Sequence, residues 1–155
     1  MTRRESLTLL VASSSLAGLL AAGDAANLTG TWDLQVGKSE WGKKEKPVSA
    51  EVTIQHNEPQ IQYKGTVVTG PNGESRTFEF SGAIDGVAKP NEKGHLVMKR
   101  VDDRTTVSEV KSADGKTVET TRTTVSRDGK TLNRRIYAEG PQGSMVWNEV
   151  YTRRP

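Results

Sequence analysis

The sequence predicts an all-β fold, an antiparallel up-and-down β-barrel of about eight to ten short strands. Three observations predict it. Asp-Gly-Lys-Thr occurs twice, at 114–117 and 128–131, with the β-branched stretch Val118–Ser126 between the copies. Apolar residues make up only 33% of the 155, which suits strands with one wet face and turns that carry no core. Side-chain character alternates with period two, as where Phe78 and Phe80 flank Glu79, and no stretch beyond the leader reads as a convincing helix.

Asp-Gly is a strong hairpin signal because Gly accepts the positive φ of a tight turn and Asp can accept hydrogen bonds from the turn backbone. The two copies therefore mark successive turns, one strand apart. The remaining strands follow in order. Thr31–Val36 is the first, and Ser49–His56 and Gln60–Val68 flank Asn57-Glu58-Pro59. Gly70-Pro71-Asn72-Gly73 turns into Ser75–Ser81, and a short piece at Ala83–Ile84 ends at Asp85-Gly86. His95–Val101 and Arg104–Ser112 precede the first repeat, and Leu132–Glu139 and Ser144–Arg153 close the chain. Neighbouring strands on short turns pair with each other, and closing the sheet into a barrel would remove its exposed edges.

The length supports one domain. Met1–Ala25 reads as a cleaved secretory signal: basic Arg3 and Arg4, an apolar run from Leu7 to Ala22, then small residues at Gly23 and Ala25. The run is short for a bilayer and broken by Ser13, Ser14 and Ser15, so no transmembrane anchor is expected. Thr2–Leu7 partly resembles a twin-arginine signal, with Ser6 where an apolar residue is usual, and Sec export is equally compatible. Residues 26–155 are then an exported domain, periplasmic or secreted. There is no Cys, and a net charge of +3 is too small for a nucleic-acid footprint.

Leu28-Thr29-Gly30-Thr31-Trp32 opens this domain. A Gly-x-Trp on the first strand of a small barrel resembles the calycins: lipocalins, fatty-acid-binding proteins and avidins. The resemblance implies that Trp32 plugs one barrel end beside Gly30 and that a basic residue of the last strand, Arg153 or Arg154, lies over it. The final third is similar to fatty-acid-binding proteins through Asp114-Gly115-Lys116, Thr120-Thr121-Arg122, Asp128-Gly129-Lys130 and Glu149-Val150-Tyr151. It implies that Arg122 and Tyr151 face the interior, where that family holds a carboxylate. Glu149 stands where that family has a second arginine. The charged segment Gly37–Pro47 is too short for that family's helical lid. Leu34, near where avidins carry a biotin-binding Asn, sets biotin aside.

Residues two apart in a strand share a face, so Met145, Trp147, Glu149 and Tyr151 point one way, inward by the resemblance. A buried Glu149 needs a cation, for which Arg122, Arg134 and Arg135 are the candidates. Tyr63 and Tyr137 offer hydroxyls to a polar guest, and Phe78 and Phe80 supply apolar wall. Trp41 sits in the Gly37–Pro47 loop as a lid or a partner contact. The expected ligand-binding set is Arg122, Glu149, Tyr151, Trp147 and Tyr63, with a neutral or cationic amphipathic ligand and not a simple fatty acid. His56 and His95, the two imidazoles, leave a haem-binding barrel as an alternative, although no cofactor is expected. No catalytic or metal motif is present. The remaining alternatives are a solid-core interaction module acting through the loops at the barrel mouth and an enzymatic barrel.

Overall fold

Ten strands follow one another through the residues that the computed structural model describes, 25–155. The expected leader lies outside them, apart from Ala25. The strands are β1 Gly30–Leu34, β2 Ser49–Asn57, β3 Gln60–Thr69, β4 Glu74–Ala83, β5 Lys89–Asn91, β6 Gly94–Asp102, β7 Thr105–Lys111, β8 Thr117–Val125, β9 Thr131–Gly140 and β10 Gly143–Arg153. All pairings are antiparallel, in the order β4-β3-β2-β1-β10-β9-β8-β7-β6-β5. Consecutive strands are neighbours except β4 and β5, and β1 pairs with β10, as Trp32 opposite Arg153 shows. The sheet thereby curls into an up-and-down barrel.

Full closure of the ladder does not occur. Among the described residues β4 and β5 form no ladder, so the barrel has an open seam between them. The short strand expected at Ala83–Ile84 is also displaced. Ala83 ends β4, Ile84 is buried in the following turn, and the extra strand is Lys89–Asn91. Pro90 has no N–H to give, which confines such a strand to a sheet edge.

The two Asp-Gly-Lys-Thr turns adopt the same conformation. Gly115 and Gly129 take φ of +82° and +71°, and Asp114 and Asp128 accept from the N–H of Lys116 and Lys130 at 3.1 and 3.0 Å. Because one strand separates them, they lie at opposite ends of the barrel. The first joins β7 to β8 at the upper end, and the second joins β8 to β9 at the lower end.

The core fills the lower end. Trp32, Ile54, Val125 and Leu132 are the largest fully buried side chains, and Leu28, Val52, Ile61, Ile84, Met98 and Tyr151 surround them. Each such side chain contributes about 1.5–3 kcal/mol of burial. The Trp32 indole donates to Leu28 O at 2.9 Å, and the Arg153 guanidinium lies 4.5 Å over its ring. Arg153 is held there by the carbonyls of Gly129, Thr29 and Asn27, at 2.9, 2.8 and 2.8 Å. Arg154 points elsewhere and bridges Asp33 and Glu51. Gly30 lies beside this stack, where a Cβ would stand 3.6 Å from the Arg153 side chain.

Candidate functional site: the barrel interior

Above that core lies a cavity of about 220 Å³, lined from every strand but β1. Its walls differ in chemistry. Val52, Ile54, Phe78 and Phe80 from β2 and β4 make one apolar side, continued by Leu96 and Met98 of β6. Thr106 and Ser108 of β7 and Thr121 and Thr123 of β8 make a hydroxyl-bearing side. Tyr63 on β3, Glu119 on β8, Arg134 on β9 and Tyr151 on β10 add further polar groups to the lining. The Phe78 ring packs over Gly65, its cross-strand partner, where a Cβ would meet Cζ of the ring at 2.5 Å. Glycine at 65 is thus what lets this ring lie across the apolar wall.

Beside the cavity is an ionic cluster built by β9 and β10. Arg134 and Glu149 are paired across the two strands, and Arg134 Nη1 lies 3.1 Å from Glu149 Oε2. Tyr151 OH donates to the same oxygen at 2.9 Å, and Trp147 Nε1 donates to Oε1 at 2.9 Å. The Glu149 carboxylate therefore has three donors and a paired charge, which answers the cost of placing it at 14% side-chain exposure. Burial works against charge on Arg134, but the Glu149 carboxylate and neighbouring groups more than offset it and hold the guanidinium protonated. Burial likewise pushes the Tyr63 and Tyr151 phenols up, so both remain neutral hydroxyl donors at physiological pH.

Arg122 is not part of this cluster. It is exposed on the outer face of β8, directly opposite Arg135 of β9, which is exposed too. The inward positions of β8 are Glu119, Thr121 and Thr123. The cation for Glu149 is Arg134, and period-two counting could have selected it over Arg135, because it shares a face with the buried Leu132 and Ile136. The hydroxyl wall went unrecognised in the sequence, since threonines occupy both faces of β8.

The other candidates fall outside the cavity. Tyr137 is on the outer face and donates to Glu139. His95 is exposed on β6. His56 is buried at the lower end, where Leu28 N–H donates to Nδ1 at 3.1 Å and Nε2 lies 2.6 Å from Glu58 Oε2. Arg100 closes that chain on Glu58 and helps hold its carboxyl below the usual range. Both His56 nitrogens are thus engaged by the protein, and neither histidine lines the interior. At the upper end a short 3₁₀ turn, Val36–Lys38, precedes Glu40, which exchanges backbone hydrogen bonds with Asn148. Trp41 is half-buried there, its indole donating to Val36 O at 3.3 Å, and Lys44 lies 5.3 Å from the Trp147 ring centre. Among the described residues no three His, Cys, Asp or Glu side chains converge as a metal site, and no helix is long and apolar enough to cross a membrane.

No protein-family model matches the chain, and no curated protein matches its sequence. Solved structures do match its shape. Zebrafish ileal bile acid-binding protein, solved with cholic acid, aligns with a TM-score of 0.54 at 14% identity, over 81% of this chain and 98% of that one. The siderocalin Ex-FABP, described as functioning through dual ligand specificities, aligns with a TM-score of 0.49 at 12% identity, over 82% of this chain and 70% of that one. The first of these likenesses supports a calycin-like barrel, and at such identities it is a statement about fold alone.

Proposed function

We propose that the chain is a non-catalytic carrier that binds a small amphipathic or hydrophobic molecule inside the barrel. The observation that supports this most is the two-sided cavity: an apolar wall of Val52, Ile54, Phe78 and Phe80, and a hydroxyl wall ending at Arg134 and Tyr151. Such a lining suits a guest with an apolar body and a polar end. Glu149 already neutralises Arg134, so a ligand carboxylate would find no unpaired cation at this cluster. The guest is therefore a neutral or cationic oxygen-bearing amphipath, not a simple fatty acid. The zebrafish protein of like fold was solved with cholic acid, which agrees with a ligand-binding role for this type of barrel.

The leader composition supports export, with residues 26–155 working as the mature domain in the periplasm or outside the cell. Native mass spectrometry on protein purified from the exported fraction tests the carrier reading. A co-purifying small molecule that is lost from an Arg134→Met variant is the expected result. A bare polypeptide mass, together with no heat of binding for neutral amphipaths, would reject it in favour of an interaction module.

A further inference from the structure

The seam between β4 and β5 opens a groove of about 820 Å³ along the side of the barrel. Phe78, Phe80, Asn91, Leu96 and Met98 line both this groove and the interior cavity, so the two spaces adjoin along these side chains. We propose that the seam groove is the second half of the binding site and holds the apolar chain of an amphipath whose polar end sits near Arg134 and Tyr151. This rests on the carrier function proposed above and adds where the ligand lies and what shape it has.

Three observations carry it. The interior, at about 220 Å³, falls below the roughly 300–1,000 Å³ of ordinary small-molecule sites, whereas the groove lies inside that range. The side chains at the join are, Asn91 apart, large and apolar, while Glu79, Lys89 and Glu92 also line the groove. Phe78 keeps 36% of its surface exposed, and Val87, on the loop between β4 and β5, keeps 56%. A hydrocarbon chain lying there would cover both, and burial of apolar surface favours that arrangement. Finally, the local sequence holds the seam open. Pro90 in the middle of β5 has no N–H to give, and β5 is three residues long against ten in β4. Gly82 leaves the space where a Cβ would press on Phe80 Cζ at 2.7 Å and stand 3.3 Å from Met98 Sδ.

The chain has no cysteine, so a single introduced thiol reports on one place. Val87→Cys and Thr77→Cys put thiols at the groove, and both replace exposed residues, so folding is not at stake. Glu45→Cys puts one on the upper loop, away from it. Alkylation by N-ethylmaleimide is timed with and without 1-monolauroylglycerol, a neutral single-chain amphipath, while calorimetry records its binding. Bound monolauroylglycerol is expected to slow both groove thiols on the order of tenfold by blocking access, and to leave Glu45→Cys within about twofold. Calorimetric binding with unchanged groove thiols overturns the seam site and leaves the carrier function standing. No calorimetric binding at all overturns the neutral-amphipath carrier, and the seam site falls with it.

Discussion

Arg134 and Glu149 stand opposite each other on β9 and β10 and meet at 3.1 Å beside the cavity, while Arg122 of β8 and Arg135 of β9 are register partners on the outer surface. The placement of one arginine inside and two outside determines the electrostatics of the interior. It yields a specific expectation. Arg134→Leu leaves the Glu149 carboxylate without its cation and should cost about 1–3 kcal/mol, below the roughly 3–5 kcal/mol of breaking a fully buried pair because the side chains retain some exposure. Adding Glu149→Leu should recover part of that loss. Urea denaturation of the two single variants and the double variant measures the coupling, and simple additivity would deny the pair any energetic role.

Trp32 is the largest of the fully buried side chains. Trp32→Ala should lose about 3–5 kcal/mol, as for a large aromatic removed from a packed core. Arg153→Lys keeps a positive charge over the ring but cannot reach three carbonyls at once, so it should still cost about 1 kcal/mol. Thermal unfolding of the two variants ranks them, and an Arg153→Lys variant as stable as the parent would reduce the residue to its charge.

At Gly115 and Gly129 a Cβ would meet nothing within 4 Å, so alanine there is opposed only by the positive φ. Gly115→Ala and Gly129→Ala should each cost about 1–2 kcal/mol, and Asn at either position less. Because the turns share one conformation, the two costs should agree. A large difference between them would mean that the barrel end, and not the turn, controls the energy.

Gly65 differs in kind. A Cβ there would come within 2.5 Å of the Phe78 ring and 2.6 Å of Glu51 O. Gly65→Ala should destabilise by about 1–3 kcal/mol through overpacking. Phe78→Ala in the same chain should rescue it only partly, since the Glu51 carbonyl belongs to the backbone and cannot move aside. Full rescue in a denaturation experiment would place the whole conflict on the ring.

The turn carboxylates give a pH dependence. Ser126 Oγ donates to Asp128 at 2.6 Å and Lys130 N–H at 3.0 Å, and these hold the carboxyl below the ordinary aspartate value. Ser112 and Lys116 do the same for Asp114. A folded pKa below the unfolded one stabilises the fold at pH above the unfolded value, about 3.9, and that contribution fades as pH falls through the folded value. Carboxyl NMR titration should show Asp114 and Asp128 titrating below a free aspartate, and Ser126→Ala should bring Asp128 back toward it. Ordinary titration of both in the parent protein would contradict the turn geometry.

Much of this architecture was legible in the sequence. The paired Asp-Gly-Lys-Thr turns, the alternation in β10 that sets Trp147, Glu149 and Tyr151 on one face, and the strand bearing Trp32 all follow from local chemistry: turn residues, period two and β-branched runs. β9 was equally readable, because Leu132 and Ile136 mark its inner face and Arg134 lies between them. β8 was not. Its two faces, Thr117-Glu119-Thr121-Thr123-Val125 and Val118-Thr120-Arg122-Thr124, each hold one valine, one charged residue and otherwise threonines, so no difference in polarity says which is buried.

By itself, then, the sequence determined the class of fold, the turns and the faces of those strands whose two sides differ in polarity. The tertiary structure alone decided that Arg122 lies outside, leaving Arg134 as the cation that neutralises Glu149, and that β4 and β5 end up as the two edges of the sheet. The reason is that a strand with two similar faces takes its orientation from the register of its neighbours. The seam, likewise, depends on the curl of the whole sheet, which brings its two edges to either side of one groove, while Pro90 and the shortness of β5 keep them from forming a ladder.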